Sequence, residues 1–291
     1  MGIKEYALFA DVAETKNFTR SGERMGYSQS GVSHILKNLE DELGFSLFLR
    51  TKHGVSLTPN AELILPLVRN LLASNEKLEQ NVNAINGIET GQITIAAFSS
   101  ISIHWLPVIL YEFQETYPGI EIHLKEGGTD DIAKWIEESL VDFGLFSKRN
   151  MRSLEWIPLY EDPLMAVLPK DYPIPADGHF PINEIGNQPF IISAMGVDYD
   201  IHYALQEAGI SPSIHFSSKD DHAIISMVSN HLGISILPKL IVTGFEEKIT
   251  ALPLKPFYSR DLGIGLRSSK DLAPAAIKFI EFTKRILPTL L

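Results

Sequence analysis

Residues 28–40 read Ser28-Gln29-Ser30-Gly31-Val32-Ser33-His34-Ile35-Leu36-Lys37-Asn38-Leu39-Glu40, with no acidic side chain before Glu40. Val32, Ile35, Leu36, Leu39 and Leu43 recur at the spacing of one helical face. Ser28 offers a side-chain acceptor at the helix start, and Gly44 falls where a left-handed cap belongs. Upstream, Leu8, Phe9, Val12 and Ala13 mark a first helix over residues 6–15. Thr19 is the expected cap of a second helix over 20–25, closed by Gly26 and Tyr27 as a tight turn. Two helices joined by a short glycine-containing turn form the helix-turn-helix layout, whose second helix enters a major groove. Downstream, residues 47–50 and 55–57 flank Lys52-His53-Gly54 and predict a hairpin with a basic tip, a wing.

The chemistry of this stretch suits DNA. Gln29 matches a bidentate contact to adenine, Ser30 and Ser33 can reach bases or phosphates, and Lys37, Arg50 and Lys52 suit phosphate oxygens. Thr19, Arg20, Ser28 and His34 complete the candidate DNA-binding set. The chain's formal net charge of −11 argues the other way when taken globally, but residues 1–60 hold seven Lys/Arg and seven Asp/Glu, so the excess acid lies beyond them.

Thr58-Pro59 is a cap followed by proline at the first helical position, opening a segment that runs to about residue 86. Ile64, Val68, Leu71, Asn75, Leu78, Val82 and Ile85 alternate spacings of four and three, a heptad seam that asks for a partner helix. Asn75 is either a buried amide that fixes register or a solvated position near a frayed contact. Pro66 removes a bond to the Glu62 carbonyl and should kink or restart the helix.

From residue 92 strands alternate with helices. Strands are expected at 93–98, 120–124 and 142–146 with helices at 101–117 and 131–140 between them, a βαβαβ order that implies a mostly parallel sheet. A second cycle has strands at 164–168, 190–193, 213–216 and 233–237 and helices at 200–208 and 220–230. A strand at 262–266 and a helix at 273–290 follow. With 291 residues, 45% apolar and 21% charged, the chain is too hydrophobic for disorder and long enough for two or more cores. It has no cysteine, which excludes disulfides, thiolate zinc sites and cysteine redox sensing. No window approaches a membrane span and the first residues do not form a secretion signal, so a cytoplasmic protein is expected.

Phe9, Val12-Ala13, Phe18-Thr19, Ser28-Gln29-Ser30, Val32-Ser33, Leu39-Glu40, Leu43-Gly44, Leu47-Phe48, Arg50 and Leu57-Thr58-Pro59 together resemble the signature of LysR-type transcriptional regulators. The likeness continues through Leu106-Pro107, Tyr117-Pro118, Gly127-Gly128-Thr129, Asp142-Phe143-Gly144-Leu145 and Leu232-Gly233-Ile234-Ser235-Ile236-Leu237-Pro238. Gly22 where alanine is usual, and Asn60-Ala61 where Ala-Gly is usual, depart from it. Gly22 should cost its helix about 1 kcal/mol.

The resemblance implies an α/β protein overall. It has a winged helix-turn-helix at 1–58, a long linker helix pairing two chains at 59–90, and an effector-binding domain at 91–291. That last domain is similar to periplasmic solute-binding proteins, with subdomain I at 91–161 plus 266–291 and subdomain II at 162–265. Its implied partners are double-stranded promoter DNA, further copies of the chain (homodimer and homotetramer), RNA polymerase and an unidentified small-molecule effector, with no membrane and no cofactor. The valines and leucines of the seam suit a parallel pair in isolated coiled coils, whereas the family's linker helices pair antiparallel.

Ser99-Ser100 follows a strand and precedes a helix, placing hydroxyls and backbone N–H groups at the carboxyl end of a parallel strand, an anion or carbonyl site. Gly127-Gly128-Thr129 is another such turn. With Ser193, Met195 and His202 across the cleft, and Ile101 and Met195 supplying apolar surface, these form the candidate effector site; the crossing strands near 159–164 and 262–266 form its hinge. Two rival classes are weighed, a cryptic enzyme and a small-molecule-binding protein without DNA. No nucleophile elbow, zinc helix, Walker loop or dinucleotide fingerprint occurs, so no catalytic residue and no metal ligand is assigned. A solute receptor would leave the first 90 residues unexplained.

Overall fold

A computed structural model describes all residues except 1, 52–53, 88, 150–153, 196 and 198, and the side chains of Arg50 and Thr51 also lie outside the description. The chain divides into two units, residues 1–88 with 138–140, and residues 89–137 with 141–291.

In the first unit, α1 (Ile3–Thr15), α2 (Phe18–Met25) and α3 (Gln29–Leu43) precede an antiparallel hairpin of β1 (Phe48–Thr51) and β2 (Gly54–Leu57), and α4 spans Pro59–Ile85. Leu8, Phe9, Val12, Val32, Leu36, Leu39, Leu47, Ala61, Leu65 and Val68 form its core. The cap of α2 is Asn17, whose side chain accepts from the Arg20 amide at 3.1 Å; Thr19 lies inside the helix instead. Asn17 wins because it stands one residue before the first helical position in extended backbone, where a cap must be. Gly22 is required by packing, since a Cβ there would sit 2.5 Å from the Tyr27 carbonyl oxygen. Pro66 does not restart α4, which continues through it as one helix, anchored on either side by buried Leu65 and Val68.

The second unit opens with β3 (Gly91–Ala97), α5 (Ser99–His104), α6 (Leu106–Thr116), β4 (Ile120–Glu126), α7 (Thr129–Glu137) and β5 (Phe143–Ser147). The chain continues through β6 (Glu155–Pro169), β7 (Phe180–Pro181), β8 (Pro189–Ser193), α8 (Asp200–Glu207), β9 (Ser213–Ser218) and α9 (Asp221–Ser229). It closes with β10 (Ser235–Pro238), α10 (Lys239–Val242), β11 (Ile249–Lys255), β12 (Ser259–Leu266) and α11 (Pro274–Ile286). The main sheet has the order β4-β3-β5-β12-β6-β11-β7, with β10 also on β6; β8 and β9 pair separately. The β3–β4, β3–β5 and β8–β9 pairs are parallel, but β12 runs antiparallel to both β5 and β6, so the sheet is mixed rather than mostly parallel. The single helix expected over 101–117 breaks at Trp105, because Pro107 begins a new first turn.

Two cores fill this unit. One gathers Ile93, Ile95, Trp105, Phe113, Phe143, Leu145 and Phe279; the other gathers Leu164, Val167, Phe190, Ile192, Ile224 and Ile236. The strands β6 and β12 join them. Leu262, Ile264 and Leu266 are buried in the first core, so the crossing on β12 lies earlier than the sequence suggests, at Ser259 and Arg260, which pair with Pro163 and Asp162 of β6.

Candidate functional site: DNA face, linker face and interdomain cleft

The serine that opens α3 fixes its first turn: Ser28 Oγ accepts from the Gly31 amide at 3.1 Å. From there Ser28, Gln29, Ser30, His34 and Lys37 are exposed and Ser33 is half-buried, while Val32, Leu36 and Leu39 point into the core. The expected polar face is therefore present, and Thr19 and Arg20 of α2 are exposed as well. Gln29 Nε2 donates to Ser33 Oγ at 3.1 Å, and Ser28 and Ser30 share a hydrogen bond at 3.0 Å, which orients the hydroxyls along one stripe. Exposed Asn38, 3.4 Å from the His34 ring and passed over in the sequence, extends the stripe. Glu40, the first acid of α3, is turned away: its Oε1 accepts the amides of Leu47 at 2.6 Å and Phe48 at 3.3 Å, tying the hairpin to the helix. Lys52 and the Arg50 side chain fall outside the described residues.

On α4 the seam divides. Leu71, Leu78, Val82 and Ile85 are exposed, but Val68 is buried and Ile64 packs against the same core. The apolar positions exposed in the first three turns are instead Leu63 and Leu67, at 75% and 66%. A strict heptad count cannot see that Ile64 and Val68 are claimed by their own winged unit. Asn75 donates to Glu79 at 2.9 Å along its own helix, so the structure gives it a local partner.

The second unit carries a cleft between its two cores. Two hollows of about 400 Å³ and 480 Å³ meet at Ser99 and Lys219, which line both. The smaller adds Ile103 and His104 from the first core's side and His222, Ile241 and Phe245 from the second's. The larger is bordered by Glu126, Asp130 and Asp131 opposite Met195 and Val197.

The candidate effector residues separate accordingly. Ser99 and Met195 are exposed to the cleft. Ile101 is fully buried in the first core, because it points inward from α5 while Ile103 points out; the apolar cleft contact is Ile103. Ser100 lines the smaller hollow beside Ser99 but is 3% exposed, and its Oγ accepts from Arg260 Nη2 at 3.0 Å. The Thr129 hydroxyl and amide both donate to the Val197 carbonyl, at 3.2 and 3.0 Å. Ser193 is buried, its hydroxyl without a partner among the described residues, and the walls of the two hollows are formed without it. His202 Nε2 lies 3.1 Å from the Ser193 carbonyl, which can only accept, so that nitrogen carries the hydrogen.

Under the cleft, Arg260 and Asp162 form a buried ion pair at 2.9 Å, and Asp162 Oδ1 also accepts the Leu240 amide at 3.1 Å. His104 stands beside this pair: burial lowers its pKa, and the Asp162 charge only partly offsets that. Burial, reinforced by the same carboxylate, raises the Tyr160 phenol.

At one edge a latch joins the two sides. Besides the Thr129–Val197 contacts, Tyr199 Oη donates to Asp130 at 2.7 Å, Ser147 donates to Asp200, and Arg149 Nε pairs with Asp200 at 2.8 Å. Arg149 also lies over the Tyr203 ring, 3.7 Å from its centroid. Burial works against the Arg149 charge, but Asp200 outweighs it and the guanidinium holds its proton more tightly than usual. Sequence reasoning missed Lys219 and this latch. Lys219 follows the carboxyl end of β9, the same strand-to-helix position that singled out Ser99, and could have been found by that rule.

A winged helix-turn-helix with an acid-free recognition face, followed by a two-core domain with a cleft, defines a ligand-responsive DNA-binding regulator. The chain belongs to the LysR family: the family described as bacterial regulatory helix-turn-helix protein, lysR family, matches residues 3–62, and the LysR substrate binding domain matches residues 86–287. Among relatives, an uncharacterized HTH-type transcriptional regulator, YvbU of Bacillus subtilis (strain 168), is 29% identical over 289 residues, covering 98% of this chain and 99% of its own. The structure of full-length OxyR from Pseudomonas aeruginosa, a single-site variant, superposes with a TM-score of 0.79 at 23% identity, covering 98% of this chain and 95% of that one. The effector binding domain of QuiR in complex with shikimate matches 69% of this chain and 98% of its own, with a TM-score of 0.61 at 21% identity. The protein is thus a LysR-type DNA-binding transcriptional regulator with a small-molecule effector-binding domain.

Proposed function

We propose that this regulator reads promoter DNA through Gln29, Ser30, Ser33, His34 and Lys37 of α3, with Arg20 and the hairpin on the flanking phosphates, and that a small molecule in the Ser99–Lys219 cleft alters those contacts. The observation that carries the DNA assignment is the exposed stripe of α3, polar or basic throughout, with its first carboxylate turned onto the hairpin amides. The exposed apolar face of α4, centred on Leu71 and Leu78, supports a dimer through the linker, and two such dimers make the tetramer. RNA polymerase is the partner at the promoter. No helix among the described residues is long and apolar enough to cross a membrane. A promoter-binding regulator works in the cytoplasm. The family consists of regulators, and the reading assigns the cleft neither a cofactor nor catalysis.

The test is operator binding by fluorescence anisotropy across a salt series. Gln29→Ala should cost about 1–3 kcal/mol at one base pair and relax specificity there, and Lys37→Ala should weaken all sequences and reduce the salt slope by about one. Unchanged affinity and slope in both variants would remove α3 from the interface.

A further inference from the structure

Three residues of the first unit come from far along the chain. Glu138, Ser139 and Leu140 group with residues 1–88, whereas α7 before them and β5 after them belong to the second unit. We propose that this turn is the grip through which the effector-binding domain acts on the winged unit, with Arg69 and Asn70 of α4 as the positioning residues that receive it and α7 as the rod that delivers it. This rests on the proposed DNA reading and names the route by which a change in the second unit reaches it.

The grip is built from side chains. Arg69, whose side chain is 12% exposed, places Nη1 3.1 Å from Glu138 Oε2. The Ser139 hydroxyl donates to Asn70 Oδ1 at 2.6 Å. Ser139 does so from left-handed backbone, φ 54°, a conformation that is costly for a residue with a Cβ and persists where surrounding contacts demand it. One turn of α4 then faces three ways. Val68 is buried in the winged core, Arg69 and Asn70 meet the Glu138–Ser139 turn, and Leu71 is exposed on the seam. Pro66 lies just before that turn. Lacking an N–H, it leaves the Glu62 carbonyl without its helical bond, so the ladder is weakest next to the grip.

The helix α7 is suited to carry a displacement because both its ends are fastened and its middle is tightly packed. At its start Thr129 donates to the Val197 carbonyl and Asp130 accepts from Tyr199, the latch to the second core. Along its length Ile132 and Ile136 are buried, and a Cβ at Gly144 of β5 would stand 2.4 Å from Ile132 Cγ2, so helix and strand are in direct contact. Its nine residues span about 13 Å, and the chain enters the grip immediately after Glu137. Movement of the second core at the latch therefore reaches Glu138 and Ser139 through one packed element, the kind of rigid connection that carries energetic coupling between sites.

A double-mutant cycle on the full-length protein, without effector, tests this. Thr129→Val with Tyr199→Phe releases the latch. Arg69→Gln with Ser139→Gly releases the grip while keeping a residue that accepts the left-handed turn. Operator affinity is read by fluorescence anisotropy, and amide hydrogen exchange of residues 67–73 is read by mass spectrometry without DNA. Releasing the latch should change the parent's operator Kd by about threefold or more and speed exchange at 67–73; in the grip variant the same release should change Kd by less than about 1.5-fold and leave exchange as it was. Ser139→Gly alone, the mildest change, should already lose part of the coupling. Equal latch effects with and without the grip, or a parent indifferent to latch release, in either measurement would overturn the proposal. If the parent binds no operator, the promoter reading fails and exchange alone decides: a latch effect that vanishes with the grip upholds the proposal, and exchange that ignores the latch overturns it.

Discussion

Asp162→Ala should be among the most destabilising single substitutions in the second unit. Its carboxylate is fully buried, and it neutralises Arg260, which is 1% exposed, where β6 and β12 cross from one core to the other. Removing it leaves a guanidinium in the interior with the Ser100 hydroxyl and the Phe98 ring, 5.6 Å away, among its neighbours, neither of which supplies a countercharge. Breaking a buried ion pair by removing one partner costs about 3–5 kcal/mol. The Leu240 amide also loses its acceptor, but that amide and Arg260 depend on the same carboxylate, so the charge sets the scale. For a unit of this size the melting temperature should fall by roughly 2–4 °C per kcal/mol. The assay is selective, because all three tryptophans, Trp105, Trp135 and Trp156, lie in the second unit, so urea unfolding followed by their fluorescence reports it and not the winged unit. The midpoint should drop with little change in slope. Replacing the pair together, Asp162→Leu with Arg260→Met, should recover most of the loss, since a buried ion pair exchanged for apolar residues is often near neutral. A loss below about 1 kcal/mol for Asp162→Ala would refute the claim that this pair holds the crossing together.

On the linker, the double variant Leu71→Glu, Leu78→Glu should sediment as a monomer and lose operator affinity together, and a fully dimeric variant would refute the seam. Leu67→Ala should weaken the same association without unfolding the winged unit, whereas Val68→Ala should destabilise that unit by roughly 0.5–3 kcal/mol, because Val68 is buried at home and Leu67 is not. His104 makes a pH prediction. Its folded pKa lies below the ordinary histidine value of 6.5, so as pH falls through that value the unfolded chain takes up a proton that the folded chain resists. Stability should therefore decline with falling pH, and His104→Gln should show a shallower decline by urea midpoint; identical slopes would remove His104 from the account.

The DNA-facing half was legible in sequence because helix periodicity, caps and turn glycines are local signals, and local signals decide short helices on a small core. The failures there were also local competitions: Asn17 beat Thr19 to the cap by standing one step earlier, and Gly22 proved to be demanded by the Tyr27 carbonyl rather than merely tolerated. The cleft was legible only in outline. Strand ends brought Ser99, Ser100 and Met195 to the cleft walls, but nothing in the sequence shows that Ser100 also accepts from Arg260, 160 positions away, or that Thr129 donates to Val197, 68 positions away. Of the long strand Glu155–Pro169 the sequence shows the apolar end at 164–168 and a crossing near 159–164, while Pro158 hides its first residues. The strand β11 escaped sequence reasoning altogether, its alternation interrupted by Pro253.

These claimed hydroxyls change how the cleft must work. Thr129, Tyr199, Ser147 and Arg149 spend their donors on contacts that already join the two sides at one edge, each net hydrogen bond worth about 0.5–1.5 kcal/mol. A ligand bound by Thr129 would have to break part of that latch and would recover only the difference between two hydrogen bonds. A ligand bound between Ser99 and Lys219 breaks none of the latch contacts and adds a second tie between the same two cores. Its entire interaction with the second wall then discriminates closed from open arrangements, and differential affinity is the only quantity by which a ligand shifts such an equilibrium. Under the proposed function the latch narrows where an effector can bind productively, and leaves Lys219 as the one lysine or arginine on the walls of the hollows that no other described residue has claimed.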